Sequence, residues 1–162
     1  MDQVKRASSS GAGECKNDHM PTLFSRILAG ELPARFVWQD SKAAGFLTIA
    51  PLTPGHTLVV PRQEVDQWTE TDDDLLAHCV TVAKAIGRGA QRAWNAPRAG
   101  LFIAGFEVPH LHIHVAPTWD MSDFDLAKAQ LEKDEAALDN AAMRLRTALR
   151  ELGFTEEVPT ES

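Results

Sequence analysis

The chain has 162 residues, enough for one domain with a sizeable core. Its hydrophobic share of 44% and charged share of 24% are those of an ordinary globular protein. A formal net charge of −7 argues against a non-specific grip on nucleic acid or an anionic membrane, and no apolar run reaches membrane-spanning length.

Residues 1–19 open the chain as a flexible leader. Ser8-Ser9-Ser10-Gly11-Ala12-Gly13 is linker composition with nothing to pack. Lys5 and Arg6 have no apolar stretch behind them, so the leader does not read as a secretory signal. His19-Met20 resembles a cloning-site scar with a natural start at Met20, and the leader is set aside from the fold. Cys15 and Cys79 make no disulfide framework, which points to a reducing cytoplasm.

Leu23, Phe24, Ile27 and Leu28 follow helical spacing over a short helix that stops near Gly30. Arg35–Gln39 and Gly45–Ile49 read as strands. Pro51–Gly55 is a turn-rich loop, and His56–Val60 is a third strand closed by Pro61. Thr71 with Asp74 resembles a capping box at the start of a long helix. In it Leu75, Leu76, Cys79, Val80, Ala83 and Ile86 recur at three and four residues. Gly87 and Gly89 each weaken its second half by about 1 kcal/mol relative to Ala. Leu101–Ala104 predicts a fourth strand, and Gly105 a turn or bulge. Trp119–Lys133 fits no single element. A last helix spans 134–152, with Leu138, Ala141, Ala142, Leu145, Ala148, Leu149 and Leu152 on one face and Gly153 as its stop. Glu156–Ser162 reads as a polar tail. This order of helices and strands predicts an α+β fold with a mainly antiparallel sheet.

The fifth strand carries the chemistry. In Val108-Pro109-His110-Leu111-His112-Ile113-His114-Val115, three of the six histidines alternate with apolar β-formers. Residues i, i+2 and i+4 of a strand share a face, so the three imidazoles line one surface and Leu111, Ile113 and Val115 point into a core. A shared metal is a poor fit: His110 and His114 lie roughly 13 Å apart along a strand, whereas Zn–N bonds of about 2.0 Å need converging ligands. At most two could share an ion, and His56 and His78 are the other histidines of the folded part. Phosphate chemistry fits better. A neutral ring can attack phosphorus while protonated neighbours donate to the phosphate oxygens and the leaving group. The bland alternative is three partnered polar residues.

At these residues the chain resembles the histidine triad (HIT) family of nucleotide hydrolases and transferases. His110–Val115 matches the family's alternating signature. Phe24–Ala34 looks like its N-terminal segment Ile-Phe-x-x-Ile-x-x-Gly-Glu-Ile-Pro-Ala, and Pro51–Pro61 is similar to its Pro-x-x-Pro-Gly-His strand. The likeness covers roughly Leu23–Pro117. It implies a HIT-like domain over 20–153, with a five-stranded sheet, two main helices and the short N-terminal helix, followed by the tail 154–162.

The resemblance implies that His112 attacks the α-phosphorus of a nucleotide, expels the group attached there and forms a nucleotidyl-histidine, which water hydrolyses. It assigns His114 to the phosphate and leaving group, and His110 and His56 to the support of neighbouring imidazoles. It requires no metal and no cofactor. His at 114, rather than Gln, points away from the sugar-phosphate nucleotidyltransferase branch and towards the hydrolases. Leu23, Phe24, Ile27, Phe46 and Ile49 match the apolar positions that hold a purine, each being equally well read as core. Two positions depart from the pattern. Thr48 stands where an Asp or Asn often holds the ribose, and Gly105-Phe106-Glu107 replaces Gly-Gln-Ser or Gly-Gln-Thr, setting a carboxylate where a hydroxyl would meet phosphate. The expected partners are a purine nucleotide and, with the long helix and the strand Leu101–Ala104 near the interface, a second copy of the chain. A non-catalytic nucleotide-binding module and a metalloenzyme are the competing readings.

Overall fold

The computed structural model describes residues 20–131 and 134–160; the leader and the last two residues lie outside it. Strands β1 (Phe36–Gln39), β2 (Ala43–Leu47), β3 (Thr57–Pro61), β4 (Arg98–Phe102) and β5 (Ile113–Thr118) form one sheet in the order β1-β2-β3-β5-β4. All neighbours run antiparallel. Helices α1 (Leu23–Leu28), α2 (Asp73–Trp94) and α3 (Glu135–Glu151) complete the predicted α+β fold.

Alternation along the strands separates two apolar clusters. Leu47, Val59, Ile113 and Val115 face Cys79, Val82, Ala83 and Ile86 of α2, behind which Leu145 and Leu149 of α3 pack. Phe46, Leu58 and Val60 point to the other side, where Phe24 of α1 covers them. Both faces of β2 and β3 are therefore buried, and the small helix α1 closes the face that the histidines share.

Several boundaries differ from the sequence reading. The cap of α2 is Asp72, whose carboxylate accepts the N–H groups of Asp74 and Leu75; the Thr71 hydroxyl instead donates to the Gln67 carbonyl. Three adjacent aspartates leave the sequence no way to choose among caps. β2 and β4 each begin earlier than expected. Segment 119–131 folds into two short 3-10 turns, Met121–Phe124 and Leu126–Lys128. Gly87 and Gly89 do not interrupt α2. A Cβ on Gly89 would stand 2.8 Å from Leu149 Cδ2, so helix propensity is given up for close approach of α3. The C-terminal segment is docked rather than free over its described part. Phe154 packs on Trp38, Val158 is buried in the main cluster, and Gln39 N–H donates to the Glu157 carbonyl.

Candidate active site

β5 begins at Ile113, so only His114 of the three alternating histidines lies within the ladder. Its cross-strand neighbours are Leu58 and Phe102, and the Phe102 ring stacks on the imidazole at 4.2 Å and 8°. Ahead of Ile113 the backbone leaves the sheet. Leu111 N–H donates to the Val65 carbonyl and His110 N–H to the Val108 carbonyl. Alternation nevertheless persists, because Leu111, Ile113 and Val115 are anchored in the main core. Leaving the ladder has a chemical consequence: the His110 carbonyl is free to accept from a side chain, and the His112 ring takes it, Nδ1 to O 2.8 Å.

The hydrogen bonds fix each tautomer. A carbonyl only accepts, so His112 Nδ1 carries a proton, and the neutral ring then has its lone pair on Nε2. An amide only donates, so Leu52 N–H makes His56 Nδ1 an acceptor, 3.1 Å, and puts the His56 proton on Nε2. That proton is donated to His114 Nδ1, 3.0 Å, which leaves the His114 proton on Nε2. His110 donates Nε2–H to the Pro61 carbonyl and accepts at Nδ1 from the Thr22 hydroxyl, 2.9 Å each. Among the described residues every solvent-buried side-chain nitrogen and oxygen has a partner. His112 Nε2 and His114 Nε2 have none and therefore reach the surface. The two rings lie 5.0 Å apart. A lone pair and an N–H thus stand side by side, an arrangement suited to attack on phosphorus with donation to an adjacent oxygen.

Burial sets the charge. It pushes His56 down to about 4. His114 is pushed down to about 3, first by burial and then by the neighbouring His56 and His112. His110 is also lowered, chiefly by burial. The sequence reading expected protonated neighbours. The structure holds these neighbours neutral, and tautomer rather than charge supplies the donor.

The remaining sequence candidates fall into separate places. Phe24 sets its ring edge against His112 at 5.0 Å and against Phe46 at 5.6 Å, with Ile27 packed on the same cluster. Leu23 is half-exposed on α1. Ile49 is exposed and lines a groove with Pro51, Pro54 and Leu138. The Thr48 hydroxyl accepts from Ala50 N–H, 3.2 Å, in a local turn, so its own proton remains available to a ligand. Glu107 is exposed two residues before Pro109 and has no hydrogen bond or ion pair among the described residues. Four contributors were missed: the carbonyl of Pro61, the amide of Leu52, the hydroxyl of Thr22 and the ring of Phe102. Two are backbone groups, invisible to residue type. His78 joins Asp40 at 2.9 Å, away from the triad. Among the described residues no group of three or more His, Cys, Asp or Glu is arranged to hold a metal ion.

Gly55 places His56. Its φ is +85°, and a Cβ there would lie 2.4 Å from the Trp94 ring. Gly55→Ala is therefore expected to destabilise by about 2–4 kcal/mol and to displace His56, as measured by denaturant unfolding and by imidazole NMR shifts.

Known proteins share this architecture. A HIT domain model matches residues 29–121. An uncharacterised HIT-like protein of Mycobacterium tuberculosis is 33% identical over 135 residues, covering 80% of this chain and 94% of its own. Among solved structures, a zinc-bound histidine triad family protein from Mycobacterium smegmatis has a TM-score of 0.71 at 29% identity over 85% of this chain and 99% of its own. A hypothetical histidine triad nucleotide-binding protein from Sulfolobus tokodaii has a TM-score of 0.69 at 28% identity, over 84% and 99%. A HIT family hydrolase from Legionella pneumophila has a TM-score of 0.53 at 28% identity, over 62% and 96%. With the motif blocks, the matched domain and the relatives in agreement, the chain belongs to the HIT family.

Proposed function

We propose that this protein is a nucleotide hydrolase that cleaves a nucleoside phosphate derivative at its α-phosphorus through a nucleotidyl-His112 intermediate. The supporting observation is the fixed tautomer pair, with a lone pair on His112 Nε2 beside an N–H on His114 Nε2. In the first displacement a bond forms between His112 Nε2 and phosphorus, and the bond to the leaving group breaks with its electron pair. His114 Nε2–H donates a hydrogen bond to a phosphate oxygen or to the departing atom. In the second, water adds to phosphorus and gives up one proton to solvent, matching the proton the departed group takes from solvent; the P–N bond breaks, the pair returns to Nε2 and the nucleoside monophosphate leaves.

The names of the Sulfolobus and Legionella neighbours support a nucleotide ligand and a hydrolytic reaction. The apolar cluster of Phe24, Ile27 and Phe46 beside His112 supports a purine, with Thr48 as a donor towards ribose. Glu107, Leu23 and Ile49 complete the proposed site. β4 is an edge strand with Leu101 half-exposed, which supports pairing with a second copy. No helix of the described residues is long and apolar enough to cross a membrane.

The test is a panel of an adenosine phosphoramidate, a dinucleoside polyphosphate and an adenylyl sulfate, with acid quenching and peptide mapping during turnover. The expected result is nucleoside monophosphate release and an acid-labile adduct on His112. Micromolar binding without turnover of any of them would favour the binding module instead. Activity abolished by chelation, with stoichiometric metal by elemental analysis, would favour the metalloenzyme.

A further inference from the structure

Of the three alternating histidines, His110 alone has no nitrogen open to a ligand. It is fully buried, its Nε2–H is committed to the Pro61 carbonyl, and its Nδ1 must accept. The donor it meets is Thr22, 88 residues earlier in the chain. Thr22 Oγ1 has one proton and three neighbours: Ser25 N at 3.2 Å, Ser25 Oγ at 3.1 Å and His110 Nδ1 at 2.9 Å. The Ser25 amide occupies an oxygen lone pair, so the proton is shared out between the other two. Glu64, in the loop after β3, decides which. A carboxylate that is ionised only accepts, and in that state Glu64 Oε2 takes both the Thr22 N–H, 3.1 Å, and the Ser25 hydroxyl proton. Ser25 Oγ, 3.5 Å from His110 Nδ1, then has no proton to offer the ring. The Thr22 proton is left for Nδ1, the acceptor with no other donor.

We propose that Thr22, Ser25 and Glu64 are positioning residues of the triad: they direct one proton into His110 Nδ1, and His110 thereby holds the carbonyl that keeps His112 in its nucleophilic tautomer. The coupling is local. The ring and the carbonyl belong to one residue, in a stretch that has no ladder bonds to steady it. If His110 moved its proton to Nδ1, Nε2 would face the Pro61 carbonyl lone pair against lone pair. The ring would lose its bond to Pro61, and with it the anchor that steadies the residue whose carbonyl meets His112 Nδ1–H. α1 therefore contributes more than Phe24 to this face of the sheet. Its N-terminal cap, six residues before Leu28, is wired into the reaction centre.

The kinetic arm of the test rests on the proposed nucleotidyl transfer; the spectroscopic arm does not. In the wild-type protein, 15N imidazole shifts should show His110 protonated on Nε2 and His112 on Nδ1. Thr22→Val, which keeps the shape and removes the hydroxyl, should lose the single His110 tautomer. It should lower kcat by roughly 10- to 100-fold, with KM within about twofold. Thr22→Ser both caps α1 and donates, and should recover kcat to within about threefold. Glu64→Gln offers an N–H as well as an oxygen to Ser25; it should broaden or split the His110 resonances and lower kcat without a change in KM. Wild-type kcat in Thr22→Val, or a loss carried by KM alone, would overturn the proposal. So would a wild-type His110 protonated on Nδ1, a reading that needs no variant to fold. If the wild-type protein turns over no nucleotide, the hydrolase reading fails and the ring tautomers still decide the chain from Glu64 to His110.

Discussion

Replacing His112 by alanine is expected to lower turnover by at least about 10⁴-fold while leaving a folded protein that binds a nucleoside monophosphate. The size follows from the absence of a substitute. His110 and His56 have both nitrogens engaged, and the free nitrogen of His114 carries a proton because its Nδ1 accepts from His56. Among the four histidines of the site, only His112 has a nitrogen left as an open lone pair when the rings are neutral. Binding should survive because Phe24, Phe46 and Leu58 hold one another without it. The stability cost should be about 1–2 kcal/mol, since the ring is buried against the Phe24 edge but contributes one hydrogen bond. Single-turnover kinetics, calorimetric titration with the monophosphate and a thermal melt measure the three quantities. Turnover equal to wild type would remove the mechanism. Loss of the monophosphate affinity would place the ring in recognition rather than reaction.

Stability should fall by on the order of 3 kcal/mol or more between pH 7 and pH 5, before most carboxylates titrate. The unfolded chain protonates its histidines near 6.5, whereas the folded chain holds His56 near 4 and His114 near 3. Between those values the unfolded state binds more protons, so stability rises with pH. The contribution of the pair is complete above pH 6.5 and is lost as pH falls through the window below it. His110, lowered by burial, adds in the same direction. Asp40 does not confuse the window: hydrogen bonds from Trp38, Lys42, Ala43 and His78 outweigh its burial and hold it below 3.8, so its contribution is lost only at lower pH. Urea unfolding at pH 7, 5.5 and 4.5, with imidazole titration by NMR, measures the slope. His114→Phe should flatten it. A level stability over this range would mean that the rings are not buried in neutral form. Catalysis should share the same acid limit, because the proton order from Leu52 through His56 to His114 survives only while both rings stay neutral.

The alternation of His110, His112 and His114 with Leu111, Ile113 and Val115 was legible because side-chain period is a property of extended backbone, and three apolar anchors hold the phase even outside the ladder. The Phe24 segment, the Pro-Gly-His turn and the succession of five strands along the chain were legible for the same local reasons, together with the resemblance they carry. Helix α2 showed in its three-and-four spacing. Its true cap did not, since Asp72, Asp73 and Asp74 are equivalent until backbone angles choose among them.

Residue types named the histidines but could not say which nitrogen of each bears the proton. That depends on what lies opposite: the Leu52 amide, the Pro61 carbonyl, the His110 carbonyl and the Thr22 hydroxyl. Three of these are backbone groups that every sequence possesses: the Leu52 amide and the His110 carbonyl are turned to their rings by local chain bends, and the Pro61 carbonyl, like the Thr22 hydroxyl, is brought to His110 from a distant segment. The expectation of cationic neighbours failed for a related reason, because burial of an imidazole is set by packing from α1, β4 and the loop before β3 rather than by the strand itself. Periodicity and motif therefore determined where the chemistry resides, and tertiary packing decided its charge and direction, since desolvation and hydrogen-bond polarity exist only once remote groups meet.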